Sequence, residues 1–313
     1  MKKIIKLCAI AALSAAPLFG ATAQAADYPN RPVKFVVPWP PGDLEDILTR
    51  MIAEEMASET GKPASVVNKP GGAGIVGAAD VARARNDGLT IGSFVADILT
   101  THLHAGNAPY QKDTFEPVGI FLDYPFVLAV KADAPYNNVA ELAKYSQQNK
   151  VSLGHFGYQA LPTAITFKAA AKENIKFSSD AAFDALDCST LANGDADVIN
   201  TTLQLILPCL DDVKVLVSIT DQRIPLVPDA PAIGELDASL NIALWNGLFV
   251  SKDTPQDVRD KIIAVAQETV FSERAQAVAA ETGALVYWQN ADESAARVAN
   301  DIGTMAKIGS ILE

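Results

Sequence analysis

Short runs of β-branched residues, each followed by a loop and then by apolar residues at helical spacing, are what most restricts the fold of this 313-residue sequence. A strand that feeds a helix and then another strand forms a βα unit, and such units assemble around largely parallel sheets. Residues 33–37 form the first strand run. Residues 38–42 break it, and Leu44, Ile47, Leu48, Met51 and Ile52 then recur with a helical period. Further strands are expected at 64–67, 89–94, 126–131, 151–154, 196–200 and 213–219, with helices at 75–84 and across most of 255–282. Thr254-Pro255 marks the start of the last. No repeat or flexible linker separates two halves, so strands are expected to cross between two domains and leave a hinge and a cleft, where ligands bind in such architectures.

The amino terminus adds an address. Lys2, Lys3 and Lys6 precede an apolar run at 7–19 and the small-residue stretch Ala23-Gln24-Ala25, the three-part pattern of a cleaved secretory signal. The run is shorter than the roughly 20 residues a spanning helix needs. Cys8 sits inside it with no small residues before it, which argues against a lipid anchor. Cleavage after Ala25 leaves about two domains' worth of chain in the periplasm. The formal net charge of −12, with no Lys/Arg-rich run, excludes nucleic acid and anionic membrane surfaces as partners. Cys188 and Cys209 remain, an even count in an oxidising compartment. Cys188 shares a small-residue helical face with Ala181, Ala185 and Ala192, and a Cys188–Cys209 disulfide is the expectation against two buried free thiols.

Gly72-Ala73-Gly74-Ile75-Val76-Gly77 follows a strand and matches G-x-G-x-x-G, with Asp97 downstream, which read alone is a dinucleotide fingerprint. Residues 68–71 intervene between strand and motif, and an exported chain has no ready supply of nicotinamide. A glycine-lined helix N-terminus, offering N–H groups to an anion or to its own turn, is the better account, and no cofactor is expected. His102, His104 and His155 lack ligand-spaced partners for zinc, so no metal is expected, and the first two read as an exposed loop. No nucleophile elbow is present and no catalytic residue stands out.

Two loops are more informative. In 38–46 the prolines fix a turn that delivers the chain into a helix, with Asp43, Glu45 and Asp46 in its first turn. Capping and the helix dipole account for at least one of these acids, each worth about 0.3 to 1 kcal/mol. Trp39 stands in that loop at the carboxyl end of a strand, where doubly wound folds place ligands, with core packing as the competing account. In 154–159, glycines alternate with Phe156 and Tyr158, which are suited to stacking on a ligand or covering a helix.

Taken in order, these segments resemble the receptors of tripartite tricarboxylate transporters, the Bug family. Tyr28-Pro29-Asn30-Arg31-Pro32-Val33, the proline-rich loop with Asp46, Asn68-Lys69-Pro70-Gly71-Gly72-Ala73-Gly74, Asp87-Gly88-Leu89-Thr90, Asn193-Gly194-Asp195-Ala196-Asp197, residues 223–231 and Trp245-Asn246-Gly247-Leu248 carry the resemblance. It implies an α/β periplasmic-binding-protein fold of type II with mostly parallel sheets. One lobe would span 26–124 and 247–313, the other 125–246, with a cleft that closes on its ligand. It implies a monomer that binds a small organic acid through backbone groups at helix N-termini and serves two integral-membrane carrier subunits. The candidate ligand-binding residues are Trp39, Gly42, Asp43, Asp46, Gly72, Phe94, Asp97, Phe156, Gly157, Tyr158, Asp180 and Thr201. Asp43 stands where the family usually has a glycine, Glu45 adds an acid, Phe94 and Asp97 replace small or uncharged residues, and 154–159 and 178–183 depart from the pattern. Asp43 or Asp97 is therefore expected to face the cleft, and the usual dicarboxylate preference to give way to an aromatic or amine-bearing acid. A ligand-sensing partner of a membrane kinase, and less readily a periplasmic enzyme, share these sequence features.

Overall fold

A computed structural model describes residues 28–309 apart from 159 and 184. The export signal expected over 1–25 lies outside the described residues. The chain opens with β1 (Val33–Val37), α1 (Leu44–Thr60), β2 (Ala64–Asn68), α2 (Ile75–Ala82) and β3 (Thr90–Val95). The short helices α3 (Ala96–Leu99) and α4 (Thr101–His104) lead to β4 (Phe115–Asp123). Tyr124 and Pro125 then carry it into a second lobe. There follow β5 (Phe126–Lys131), α5 (Val139–Ser146), β6 (Ser152–His155), α6 (Leu161–Glu173), β7 (Ser179–Ala182), α7 (Cys188–Asn193), β8 (Val198–Thr202), α8 (Leu203–Ile206) and β9 (Val213–Ser218). The return passes α9 (Ile233–Leu236) and ends with β10 (Trp245–Ser251), α10 (Gln256–Val270), α11 (Glu273–Thr282), β11 (Leu285–Gln289) and α12 (Ala291–Gly309) back in the first lobe.

The first sheet runs β11-β4-β10-β3-β1-β2 and the second β7-β6-β8-β5-β9. The α/β architecture is the expected one, but both sheets are mixed where mostly parallel sheets were anticipated. The parallel parts are β2-β1-β3 and β7-β6-β8. β10, β4 and β11 run antiparallel to their neighbours, as does β5 to β8 and β9. The cause is the double crossing. β4 leaves the first lobe and β10 returns to it, so as neighbours they must point in opposite directions.

Four strands escape the residue patterns. β10 contains Asn246-Gly247, an ordinary turn signal, yet the pair lies in a fully buried central strand. β4 contains Pro117 and Gly119, and a Cβ on Gly119 would meet the Trp288 ring at 2.4 Å. β11 is a short strand of the sheet edge. β7 is exposed throughout and is defined by its pairing with β6. Ala181 consequently belongs to β7 and not to the helical face of Cys188, which is the first residue of α7.

The core is aromatic at its centre, with Phe35, Phe94, Phe121, Trp245 and Phe249 all buried. Each side chain of this size contributes about 1.5 to 3 kcal/mol when fully buried. Among the described residues no helix is long and apolar enough to cross a membrane. Cys188 is bonded to Cys209, which lies in the 3-10 turn Leu207–Asp212, with the two Cα atoms 5.9 Å apart. The bridge spans 21 residues, for which the chain-entropy model gives roughly 3 kcal/mol. Protein produced in an oxidising compartment and alkylated without reductant should show no added label at either cysteine by intact mass. The double variant Cys188→Ala/Cys209→Ala should lose about 3 kcal/mol in denaturant unfolding. Two labelled thiols in that protein would rule the bridge out.

Candidate functional site: the interlobe cleft

The parallel strands of the two lobes point their carboxyl ends at the crossing segments, so the loops that follow them face each other. Between them lies a cavity of about 680 Å³. The first lobe lines it with Trp39, Asp43 and Glu45 after β1, Ala73 after β2, and Asp97 and His102 after β3. The second lobe supplies Phe156, Gly157 and Tyr158 after β6, Phe183 after β7, Thr202 at the end of β8 and Gln204 in α8. Tyr124, Phe126 and Leu244 of the crossings form the base. This is the strand-end crevice at which open α/β sheets bind ligands.

The three acids that open α1 take three different roles. Asp46 is buried and accepts from the Gly42 N–H at 2.9 Å, from Arg50 Nε and Nη2 at 2.9 and 3.0 Å, and from Asn68 Nδ2 at 2.8 Å. Burial alone would raise its pKa, but these hydrogen bonds and the Arg50 charge hold the carboxyl below its usual range. Asp46 and Gly42 therefore fix the loop and do not line the cavity. Glu45 is only 2% exposed, accepts a hydrogen bond from the Tyr124 hydroxyl, and is pushed up to about 7 by burial. Asp43 is the N-cap residue of α1 but makes no side-chain cap hydrogen bond, and it lines the cleft instead. Desolvation there, with Asp46 nearby, raises its pKa.

The glycine motif has a packing purpose. Gly74 is the N-cap of α2 at φ 91°, and a Cβ there would lie 2.7 Å from Ile98 Cδ1. One on Gly77 would lie 2.8 Å from Pro38 Cβ and 3.0 Å from the Lys69 carbonyl. The glycines let α2 press against the loop after β1. Ala73 faces the cavity where Gly72 does not, and its carbonyl accepts His102 Nε2–H at 2.7 Å. His102 is thus a buried clamp in α4, not part of an exposed loop.

In the second lobe, buried His155 organises the loop after β6. Its Nδ1 accepts from the Gly157 N–H at 2.9 Å, which leaves the proton on Nε2, facing Asp180 Oδ1 at 3.1 Å. The Tyr158 hydroxyl donates to the same carboxylate. Asp180 therefore braces Tyr158 from behind and does not reach the cavity. Tyr158 stacks on Phe167 with centroids 5.8 Å apart but remains 65% exposed, and Phe156 meets Phe126 edge-on at 6.1 Å.

Two further candidates are displaced. Phe94 is fully buried, folded over Gly92 and packed on Phe115 and Phe249, with centroids 5.1 and 5.8 Å away. Thr201 turns away and donates to the Leu186 carbonyl, while Thr202 lines the cavity, because successive strand residues face opposite sides. The residue patterns also leave out Glu45, Tyr124, Phe183, Thr202 and Gln204 as cavity residues. Only the strand period of β8 could have separated Thr201 from Thr202, and it needed the register. Trp39 Nε1, Thr202 Oγ1 and Gln204 Oε1 are buried without a hydrogen-bond partner among the described residues, and all three belong to the cavity wall. Among the described residues no cluster of three His, Cys, Asp or Glu could hold a metal.

Asp97 reaches across the cleft. Its Oδ1 accepts the N–H of Leu161, the first residue of α6, at 3.2 Å, and Thr101 Oγ1 at 3.2 Å. Burial outweighs both bonds and pushes the carboxyl up to about 7. A carboxyl raised above its unfolded value of about 4 takes up a proton on folding, so it costs stability above about pH 7 and stops doing so near pH 4. Asp97→Asn should be more stable than the parent at about pH 8, with the gap shrinking as the pH falls through 7 and closing towards about 4.5. Urea unfolding across that range measures it, and a gap independent of pH would refute the assignment.

Comparisons with known proteins place this geometry. The model of the tripartite tricarboxylate transporter family receptor matches residues 48–313. The UPF0065 protein in the tcbD-tcbE intergenic region of Pseudomonas sp. (strain P51) is 30% identical over 258 residues, 78% of this chain and 75% of its own. The periplasmic binding protein BugD has a similar structure, with a TM-score of 0.72 at 27% identity over 90% of this chain and 98% of its own. MatC from Rhodopseudomonas palustris with bound malate gives a TM-score of 0.73 at 24% identity, over 90% and 99%. The chain belongs to the tripartite tricarboxylate transporter family of receptors and is a solute-binding receptor of that family.

Proposed function

We propose that the chain is exported to the periplasm and captures a small organic acid, of aromatic or amine-bearing skeleton, in the interlobe cleft. It hands that solute to two integral-membrane subunits of a carrier and acts as a monomer without catalysis. The observation that carries this reading is the cavity itself. Both lobes and both crossings wall it, six aromatic side chains line it, and three buried polar atoms of its lining residues have no partner among the described residues. Unmet buried donors and acceptors are costly, at about 1 to 3 kcal/mol each, and a solute that meets them recovers that cost. Malate in MatC supports the organic-acid class.

In this reading Trp39, Asp43, Glu45, Asp97, Phe156, Gly157, Tyr158, Thr202 and Gln204 contact the solute. Gly42, Asp46, Gly72, Phe94, Asp180 and Thr201 hold the loops and core that present them. The lobes turn about Tyr124–Pro125 and the return segment before β10.

A thermal-shift screen of organic acids, amines and aromatics on the exported protein should yield a ligand. At 100 times its dissociation constant that ligand adds about 2.7 kcal/mol of stability. Trp39→Ala should weaken it at least tenfold, and X-ray scattering should show compaction on saturation. Stabilisation that persists undiminished in Trp39→Ala and Thr202→Val would move the site elsewhere. Slow consumption of the bound compound would replace the receptor by an enzyme.

A further inference from the structure

Of the helix N-termini at the cleft, those of α1 and α6 are already occupied by the protein's own carboxylates. At α1, Asp43 holds the N-cap position and Glu45 and Asp46 fill the first turn. At α6, Asp97 from the opposite lobe takes the N–H of Leu161. Positive potential at a helix start is what draws an anion, and a carboxylate already placed there removes the attraction. Among the described residues the cavity wall contains no Lys or Arg. Glu45 and Asp97, 2% and 8% exposed, bring two acids deep into that wall, and Asp43 stands at its rim. Thr202, 7% exposed, lines the same space from the second lobe, and its buried hydroxyl has no hydrogen-bond partner among the described residues.

We propose that this cleft selects a solute carrying a cationic nitrogen on an aromatic or apolar body, with the cation seated against Asp43, Glu45 and Asp97. The inference rests on the receptor reading above and narrows it to amine-bearing solutes. Opposite charge in a partly desolvated cleft favours the ammonium and draws the neighbouring carboxyls into their ionised form, while a carboxylate in the same place is repelled by Asp43 and gains nothing from Glu45 and Asp97. Trp39, Phe156 and Tyr158 give the body flat surfaces, and the Trp39 face can also attract the cation. Thr202 Oγ1, Gln204 Oε1 and Trp39 Nε1 remain to hydrogen-bond polar atoms elsewhere on the solute. A simple dicarboxylate satisfies none of these acids and places an anion beside them.

Calorimetry on the exported chain at neutral pH tests this with matched pairs that differ in the charged end: benzylammonium against phenylacetate, phenethylammonium against hydrocinnamate, and putrescine against adipate. The cation of a pair should bind at least tenfold more tightly than its acid. Asp43→Asn and Asp97→Asn should each weaken the cation tenfold or more without weakening the acid. Asp43 is exposed to the cleft, so its variant keeps the test valid should Asp97→Asn fail to fold by circular dichroism. Acids that bind as tightly as their cationic partners, or cation affinity unchanged in Asp43→Asn, would overturn the cationic selection and leave the receptor intact. Binding in neither arm, together with a blank in the wider thermal-shift screen, would overturn the cleft as a solute site and this selection with it.

Discussion

The antiparallel pairing of β4 with β10 is the constraint from which the cleft follows. These are the strands that carry the chain out of the first lobe and back, and their register runs from Trp245 opposite Asp123 to Ser251 opposite Phe115. At the end of that ladder Tyr124 N–H donates to the Leu244 carbonyl at 2.9 Å, so the two crossings leave the sheet side by side. Both residues line the cavity floor. The junction is pinned by a buried ion pair, Asp123 with Arg297 Nη2 at 3.1 Å, joined by the Tyr287 hydroxyl to Asp123 at 2.9 Å. Trp245 Nε1 donates to Asp301 at 2.8 Å beside it. Removing one member of such a pair leaves a buried charge, which typically costs about 3 to 5 kcal/mol, so the pair specifies the junction whatever its net worth.

From this junction the polar residues divide into those that build loops and those that meet the cavity. Asp46, Asp180, His102 and His155 spend their hydrogen bonds on neighbouring backbone and side chains. They set the positions of Trp39, Ala73, Gly157 and Tyr158. Asp43, Glu45 and Asp97 are left with few partners in a desolvated space, which raises their pKa values. A family scaffold can thus change its solute by altering loop residues while the loop anchors and the strand crossing stay the same.

How much of this was legible varied with the range of the interaction involved. Strands such as β1, β5 and β9, and the helices α1, α2 and α10, followed from local pattern, because a run like Val-Lys-Phe-Val-Val or a helical apolar period carries its own preference, whereas α12 was not anticipated. The cleft loops were located for the same reason, since prolines and glycines punctuate the strand ends. Phe94 and Thr201 were misplaced because their side-chain directions depend on which face of a strand the core occupies. Asp180 was misread because β7 exists only through its pairing with β6.

By itself the sequence determined an α/β chain of two lobes, a family, and the loops that border a cleft, because these depend on composition and short-range order. Tertiary structure alone decided that both sheets are mixed, that Asn246-Gly247 lies in a central strand, and that Glu45, Thr202 and Gln204 join the cavity wall. It also decided that Asp97 reaches Leu161, 64 residues away, and occupies a helix end that would otherwise attract an acid. Each of these depends on contacts between residues far apart in the chain, and strand register and lobe apposition set those contacts.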